Sequence, residues 1–198
     1  YRNPAMILAD GIVGQMMEKV ILPPFRPRRT DEEIALQCPW AATGRHGREH
    51  RNVVTSLELE SHKMEENNIR FQETYDLITR NEVRYKESHT DDAEYLIVAF
   101  GSVARICLKA IEEAREAGIR IGLLRPITLW PFPTERIAEL SHQVKGILVV
   151  ELNAGQMIED VMLAAEGRVP VRHFGRMGGI VPNPTEVIEA FNQNFREK

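Results

Sequence analysis

The sequence predicts an α/β protein whose second half is a three-layer domain, a largely parallel sheet with helices on both faces. Three observations lead there. From about Ala93, short continuous apolar runs alternate four times with stretches of helical period, at intervals of roughly 24 to 28 residues. Glycines, prolines or capping residues sit at the joints. The apolar runs are too short to be helices and lack the alternation of a half-exposed strand, so they read as strands buried on both sides.

Tyr95 to Phe100 is the first such run, and Gly101-Ser102 opens a helix with Ser102 as its N-cap. Val103, Cys107, Ala110, Ile111 and Ala114 form its inner face before Gly118 ends it. A second strand, Ile119 to Leu124, leads through Arg125-Pro126 and a proline-rich turn to a helix capped by Thr134, with Ile137, Leu140, Ser141 and Val144 inward. The third strand is Gly146 to Val150. Asn153 and Gln156 resemble a capping box for a helix whose stripe is Met157, Ile158, Val161, Met162 and Ala165. Pro170 to Phe174 is the fourth strand; the last helix has Asn183 as cap, Pro184 at its first position, and Val187, Ile188, Phe191 and Phe195 inward. Such repeats imply right-handed crossovers covering both faces of the sheet.

The first half is less regular. Residues 5 to 9 read as a strand, Gly14 to Val20 as a short helix, and residues 22 to 52, with Pro23, Pro24, Pro27, Pro39, Gly44 and Gly47, as an extended linker. One long helix is expected over residues 57 to 85, with Leu57, Met64, Phe71, Tyr75 and Ile78 along a narrow stripe. No initiator Met precedes the strand-like Ala5 to Ala9, which suggests that the chain opens inside a domain.

Composition excludes several classes. Of 198 residues, 43% are hydrophobic and 27% charged, the signature of a folded chain. Lys and Arg number 25 against 29 Asp and Glu, a net charge of −4 that offers no broad basic field to nucleic acid. Two cysteines, Cys38 and Cys107, cannot by themselves frame disulfides, a zinc site or an iron–sulfur cluster, so a reducing cytoplasm is expected. No apolar run approaches the length of a membrane span, and no membrane partner is expected.

Parallel sheets bind ligands where strands end and helices begin. Gly101, Ser102, Arg125, Glu151, Asn153 and Gln156 fall there and are the candidates for an interface or the mouth of an active site. Gly101-Ser102 with Arg125 could hold an anion, or be a plain cap beside a surface arginine. Glu151 ends an apolar strand, where a carboxylate needs a partner, and Arg125 or an interface contact is the expected one. No catalytic, cofactor-binding or metal residue is assigned. His46 and His50 are spaced i,i+4, but Gly44 and Gly47 argue against a helix and Gly-Arg-Glu between them is not a metalloprotease pattern. Arg26, Arg28 and Arg29 precede the acidic Asp31-Glu32-Glu33 and read as a solvated loop.

Five stretches carry a further signal: Leu8 to Met16 (LADGIVGQM), Phe100-Gly101-Ser102, Leu124 to Pro133 (LRPITLWPFP), Val150 to Met157 (VELNAGQM) and Gly175 to Gly179 (GRMGG). In this order and spacing the chain resembles the alpha chain of the 2-oxoacid:ferredoxin oxidoreductases, and Gly14-Gln15-Met16-Met17-Glu18 looks like the 2-oxoisovalerate (branched-chain) type. The resemblance implies a transketolase C-terminal-like domain over residues 93–198, a linker with the long helix over 26–92, and the tail of a thiamine pyrimidine-binding domain over 1–25. It implies an enzyme that decarboxylates a 2-oxo acid on thiamine diphosphate, passes two electrons singly to ferredoxin and releases an acyl-CoA. Thiamine diphosphate, magnesium and iron–sulfur clusters would belong to the complete complex and none to this stretch, which would need the beta, gamma and ferredoxin-like subunits and be inactive alone. The alternatives are the C-terminal domain of a transketolase-like or E1-type dehydrogenase, or a non-catalytic binding module.

Overall fold

The computed structural model describes all residues except Glu18, His46, Gly47, Glu197 and Lys198. The chain divides into two compact units, residues 17–72 and residues 1–16 with 73–198.

In the first of these, α1 spans Asp31–Gln37 and α2 begins at Ser61. The linker of residues 22 to 52 is therefore not wholly extended. Thr30 accepts the Glu33 amide while the Glu33 carboxylate accepts the Thr30 amide, a capping box that starts α1 among the prolines. Side chains make local ties here: Arg48 donates to the Gly44 carbonyl at 2.6 Å and Asn52 to that of Ala41 at 3.1 Å.

The larger unit takes up α2 near Glu73, and the helix ends at Glu82. The expected helix over 57 to 85 is thus shorter at both ends. Leu57 precedes it and is exposed, as is Phe71; of the proposed stripe only Ile78 is fully buried. The chain then enters β1 (Tyr85–Ser88), β2 (Tyr95–Ala99), α3 (Gly101–Glu116), β3 (Ile121–Pro126), α4 (Thr134–Ser141), β4 (Ile147–Glu151), α5 (Met157–Ala165), β5 (Val171–Gly175) and α6 (Pro184–Phe195). The sheet order is β1-β3-β2-β4-β5. β2, β3, β4 and β5 are parallel and β1 pairs antiparallel with β3, an edge strand that the sequence does not announce and that overlaps the expected helix only at Tyr85.

Each strand alternates its side chains between two cores. Ile97, Ala99, Leu123, Leu148 and Val150 pack against α3 and α6, where Val103, Cys107, Ile111, Val187 and Phe191 meet them. Leu96, Val98, Leu124, Ile147 and Val149 face α4 and α5 through Ile137, Leu140, Met157 and Val161. Both faces are covered, which is why the strands read as unbroken apolar runs. Phe191 meets Tyr95 edge to face and Phe195 meets it tilted, with centroids 5.0 and 5.5 Å away. Phe195 lies over Gly146, where an added Cβ would stand 2.4 Å from its ring.

β1 is held at the edge by chemistry as well as by pairing. Arg136 of α4 donates to both oxygens of Glu87 at 2.7 and 3.0 Å, and the Thr90 hydroxyl adds a third bond. That guanidinium holds the Glu87 carboxyl below the usual carboxylate range.

Several local expectations fail for identifiable reasons. Residues 5 to 9 form no strand because no strand edge pairs with them, and Met6, Ile7 and Leu8 stand exposed. The helix expected from Gly14 shrinks to a 3-10 turn, Val13–Gln15. Ser102 and Thr134 cap nothing: the helices begin one residue after Phe100 and Pro133, without side-chain caps. Asn153 does not cap α5 either, since another residue supplies that acceptor. Met162 is 54% exposed, and Ala164 takes the inner position instead. The Asn183–Glu186 capping box of α6 forms as expected.

Candidate functional site

β2 and β4 are neighbours, but β2 feeds α3 on one face and β4 feeds α5 on the other. Their connections leave in opposite directions, which makes their carboxyl ends the topological switch point, the place where open α/β sheets bind ligands. Gly101-Ser102 stands on one side and Glu151 to Gln156 on the other.

Gly101 has φ +62°, a left-handed conformation that lets the chain turn directly from strand into helix. Ser102 follows, only 8% exposed, and its hydroxyl donates to Asp10 Oδ2 at 2.5 Å. Asp10 also accepts the Val13 amide at 2.7 Å. These bonds, Ser102 first, hold the Asp10 carboxyl below its ordinary range, so it is an anion at neutral pH.

On the other side the Glu151 carboxylate is 1% exposed. It accepts the amides of Met157 at 2.8 Å, Ile158 at 3.1 Å and Gln156 at 3.3 Å, and the side-chain amide of Asn153 at 3.1 Å. A residue at the end of a strand thus caps the helix that follows. The Glu151 charge is met by orphan amides and the positive end of the α5 dipole. Asn153 in turn accepts the Gly155 amide at 2.7 Å, while the exposed Gln156 contributes its backbone. His173 Nε2 lies 3.7 Å from Glu151 Oε1, too far for a hydrogen bond. Gly175 pairs with Glu151 and has no room for a side chain, since a Cβ there would meet the Asn153 carbonyl at 2.3 Å and the His173 ring at 2.5 Å.

Arg125 does not pair with Glu151. Leu124, Val98 and Val149 lie in one row across the sheet, so Glu151, two residues past Val149, shares their face, while Arg125, one past Leu124, points to the other. Arg125 stands on the side of α3, half-buried, and its Nε has no hydrogen-bond partner. The six candidates therefore share the carboxyl edge but divide between two faces, with Gly101, Ser102 and Arg125 on one and Glu151, Asn153 and Gln156 on the other.

Two residues of this edge escaped the sequence reading. Asp10 lies in the LADG stretch just after the expected strand of residues 5 to 9, with no signal for a distant partner, and His173 sits in an apolar run with no signal to mark it. The His46 half of the His46/His50 pair lies outside the described residues; His50 is exposed beside Glu49. Glu18 of the GQMME stretch is likewise outside them. Arg26, Arg28 and Arg29 are exposed.

Among the described residues no three His, Cys, Asp or Glu gather to hold a metal ion. The cysteines do not fit an iron–sulfur cluster, which takes about four thiolates, since Cys107 is buried in the α3 core and Cys38 is the other. Burial pushes the Cys107 thiol up to about 12. We expect a thiol reagent at pH 8 to modify Cys38 but not Cys107 in the native chain. Two equivalents reacting before unfolding would contradict the burial of α3. No helix among the described residues is long and apolar enough to cross a membrane.

Residues 93–187, which contain the whole edge except Asp10, match the pyruvate:ferredoxin oxidoreductase core domain II. Ketoisovalerate oxidoreductase subunit VorB of Methanothermobacter thermautotrophicus is 41% identical over 98% of the chain. This chain belongs to the 2-oxoacid:ferredoxin oxidoreductase family. It spans about half the length of the curated relatives that it matches, 53% of that VorB. VorB of Methanothermobacter marburgensis is 44% identical over 90% of the chain and 49% of its own length. The 2-oxoglutarate synthase subunit KorA of M. thermautotrophicus is more distant, 30% identical over 95% of the chain and 55% of its own length. The fold also matches the solved 2-oxoglutarate:ferredoxin oxidoreductase from Magnetococcus marinus, with a TM-score of 0.65 at 16% identity, covering 77% of this chain and 28% of that one. The sheet with helices on both faces is the largely parallel, three-layer architecture that the sequence predicts, with β1 added as an antiparallel edge.

Proposed function

We propose that the chain is part of the alpha-type subunit of a cytoplasmic 2-oxoacid:ferredoxin oxidoreductase whose substrate is 2-oxoisovalerate. One observation carries the substrate: identity to the ketoisovalerate subunits is 41% and 44% across nearly the whole chain, against 30% for the 2-oxoglutarate subunit. The whole enzyme oxidatively decarboxylates the 2-oxo acid to an acyl-CoA and reduces ferredoxin. Thiamine diphosphate with magnesium, and iron–sulfur clusters, supply that chemistry when bound in the complete complex. No step of that chemistry is assigned to this chain. Its partners are the beta, gamma and ferredoxin-like subunits. We read residues 93–198 as the transketolase C-terminal-like domain, 26–92 as a linker that carries the long helix and also β1, the edge strand of that domain's sheet, and 1–25 as the tail of a pyrimidine-binding domain.

The role assigned to this chain is assembly and the border of the active-site mouth, with the carboxyl edge turned toward a partner subunit. The unpartnered Arg125 Nε and the prebuilt Glu151–Asn153 turn support that placement. The test is viologen reduction by the reconstituted complex, with 2-oxoisovalerate expected to outpace pyruvate and 2-oxoglutarate; a preference for either of those would overturn the substrate assignment. In the same complex Arg125→Ala is expected to lower turnover or assembly by about tenfold or more, equivalent to about 1.4 kcal/mol. Wild-type behaviour of both would reduce Arg125 to an edge residue.

A further inference from the structure

Between β5 and α6 the chain makes a short loop whose two ends are tied to one carboxylate. Arg176 extends β5 by one bond, its amide donating to the Glu151 carbonyl at 3.2 Å, and its guanidinium pairs with Glu186 Oε1. The other Glu186 oxygen accepts the Asn183 amide at 2.9 Å, within the capping box that opens α6. Pro182, just before that cap, is buried. Entry and exit therefore converge on Glu186, in the manner of an Ω-loop with a closed base.

Above this base the loop is bare. Met177, Ile180 and Val181 are 59%, 56% and 37% exposed. Gly178 and Gly179 between them have φ +69° and +86°, and a Cβ added to either would meet open space. Glycine at these two positions therefore serves backbone rotation, whereas at Gly175 it makes room for neighbours. The turn bond from the Ile180 amide to the Met177 carbonyl, at 3.5 Å, is at the outer limit for a hydrogen bond. Exposed backbone, few contacts and consecutive glycines mark a segment that opens at low cost. Its movement has one productive direction. β5 is the outer strand, so an outward swing meets only solvent. Inward lie the end of β4 and then the start of α3, which packs beside α6 on the same face of the sheet.

We propose that residues 177–181 are a flap on a base fixed by Arg176 and Glu186, which closes over the switch point by rotation at Gly178 and Gly179 when the 2-oxo acid binds. Closure buries Met177, Ile180 and Val181 and keeps water from the mouth of the site, the usual work of such loops. The trigger rests on the reaction proposed above; the hinge does not.

Amide hydrogen exchange and turnover of the reconstituted complex, with this subunit at full length, test it. Without substrate, residues 177–181 should exchange about tenfold faster or more than Val187 to Phe191 of α6. Saturating 2-oxoisovalerate should slow them about tenfold and leave α6 unchanged. Protection equal to that of α6 before substrate is added would make the loop a fixed contact, and unchanged exchange during turnover would leave it without a closed state. Either result overturns the flap, while turnover itself upholds the reaction. If another 2-oxo acid is turned over instead, the substrate assignment falls and the exchange measured with that acid decides the flap. Met177→Ser with Ile180→Ser should lower kcat/KM about tenfold and abolish the slowing, with the unfolding midpoint unchanged because both side chains are exposed. Wild-type kcat/KM in this variant, or a loss matched by a fall in midpoint, would also overturn the proposal.

Discussion

Glu151→Ala is expected to lower the unfolding free energy by about 3–5 kcal/mol, an effect large against a typical total of about 5–15. The carboxylate, 1% exposed, accepts the amides of Met157 and Ile158 in the first turn of α5, that of the N-cap Gln156 and the Asn153 side chain, so truncation leaves one buried donor and three partly buried ones without this acceptor. Glu151→Gln should lose less, since one oxygen remains, but its own NH2 would face amides that are also donors. Urea unfolding followed by circular dichroism reads both. Arg125→Ala in the same chain should cost about 1 kcal/mol or less, its guanidinium having no ion-pair partner among the described residues. A Glu151→Ala loss below that of Arg125→Ala would show that water replaces the carboxylate at no cost.

Val98→Asp should abolish cooperative melting altogether. Val98 is fully buried at the centre of the sheet, between Leu124 and Val149. An unpaired carboxylate there costs several kcal/mol, on the order of the entire stability of a domain. Leu163→Asp is the matched control: this leucine is 75% exposed on α5, and its replacement should leave the melting temperature within about 2 °C. An unchanged melt for Val98→Asp would place β2 somewhere other than the centre.

The four strand–helix units were legible because their strands are buried on both faces, so hydrophobicity alone marked Leu96 to Ala99 and Ile147 to Val150. The capping box of α6 was legible because its two partners lie three residues apart. What escaped depends on distance. Nothing near Tyr85 to Ser88 announces a strand, because its partner lies in β3 and its Glu87 anchor in α4. The cap of α5 was assigned to Asn153, the nearest suitable side chain, whereas the acceptor comes from the strand below. The expected Arg125–Glu151 pair failed for want of one quantity, strand register, which decides by parity whether two residues share a face. Thr30 and Glu33 did carry a readable capping signal, overshadowed by the surrounding prolines.

The position of β1 has a consequence for how the sheet comes together. β1 is the first strand made, yet its only neighbour is β3, so it stays unpaired until the later strand is in place. β3 itself must close a crossover onto β2, a non-local step that makes parallel sheets slow to form. The pairing of β1 and its Glu87–Arg136 clasp therefore wait on β3 and α4. The same order run backward lets this edge open as a local excursion that leaves the central strands closed.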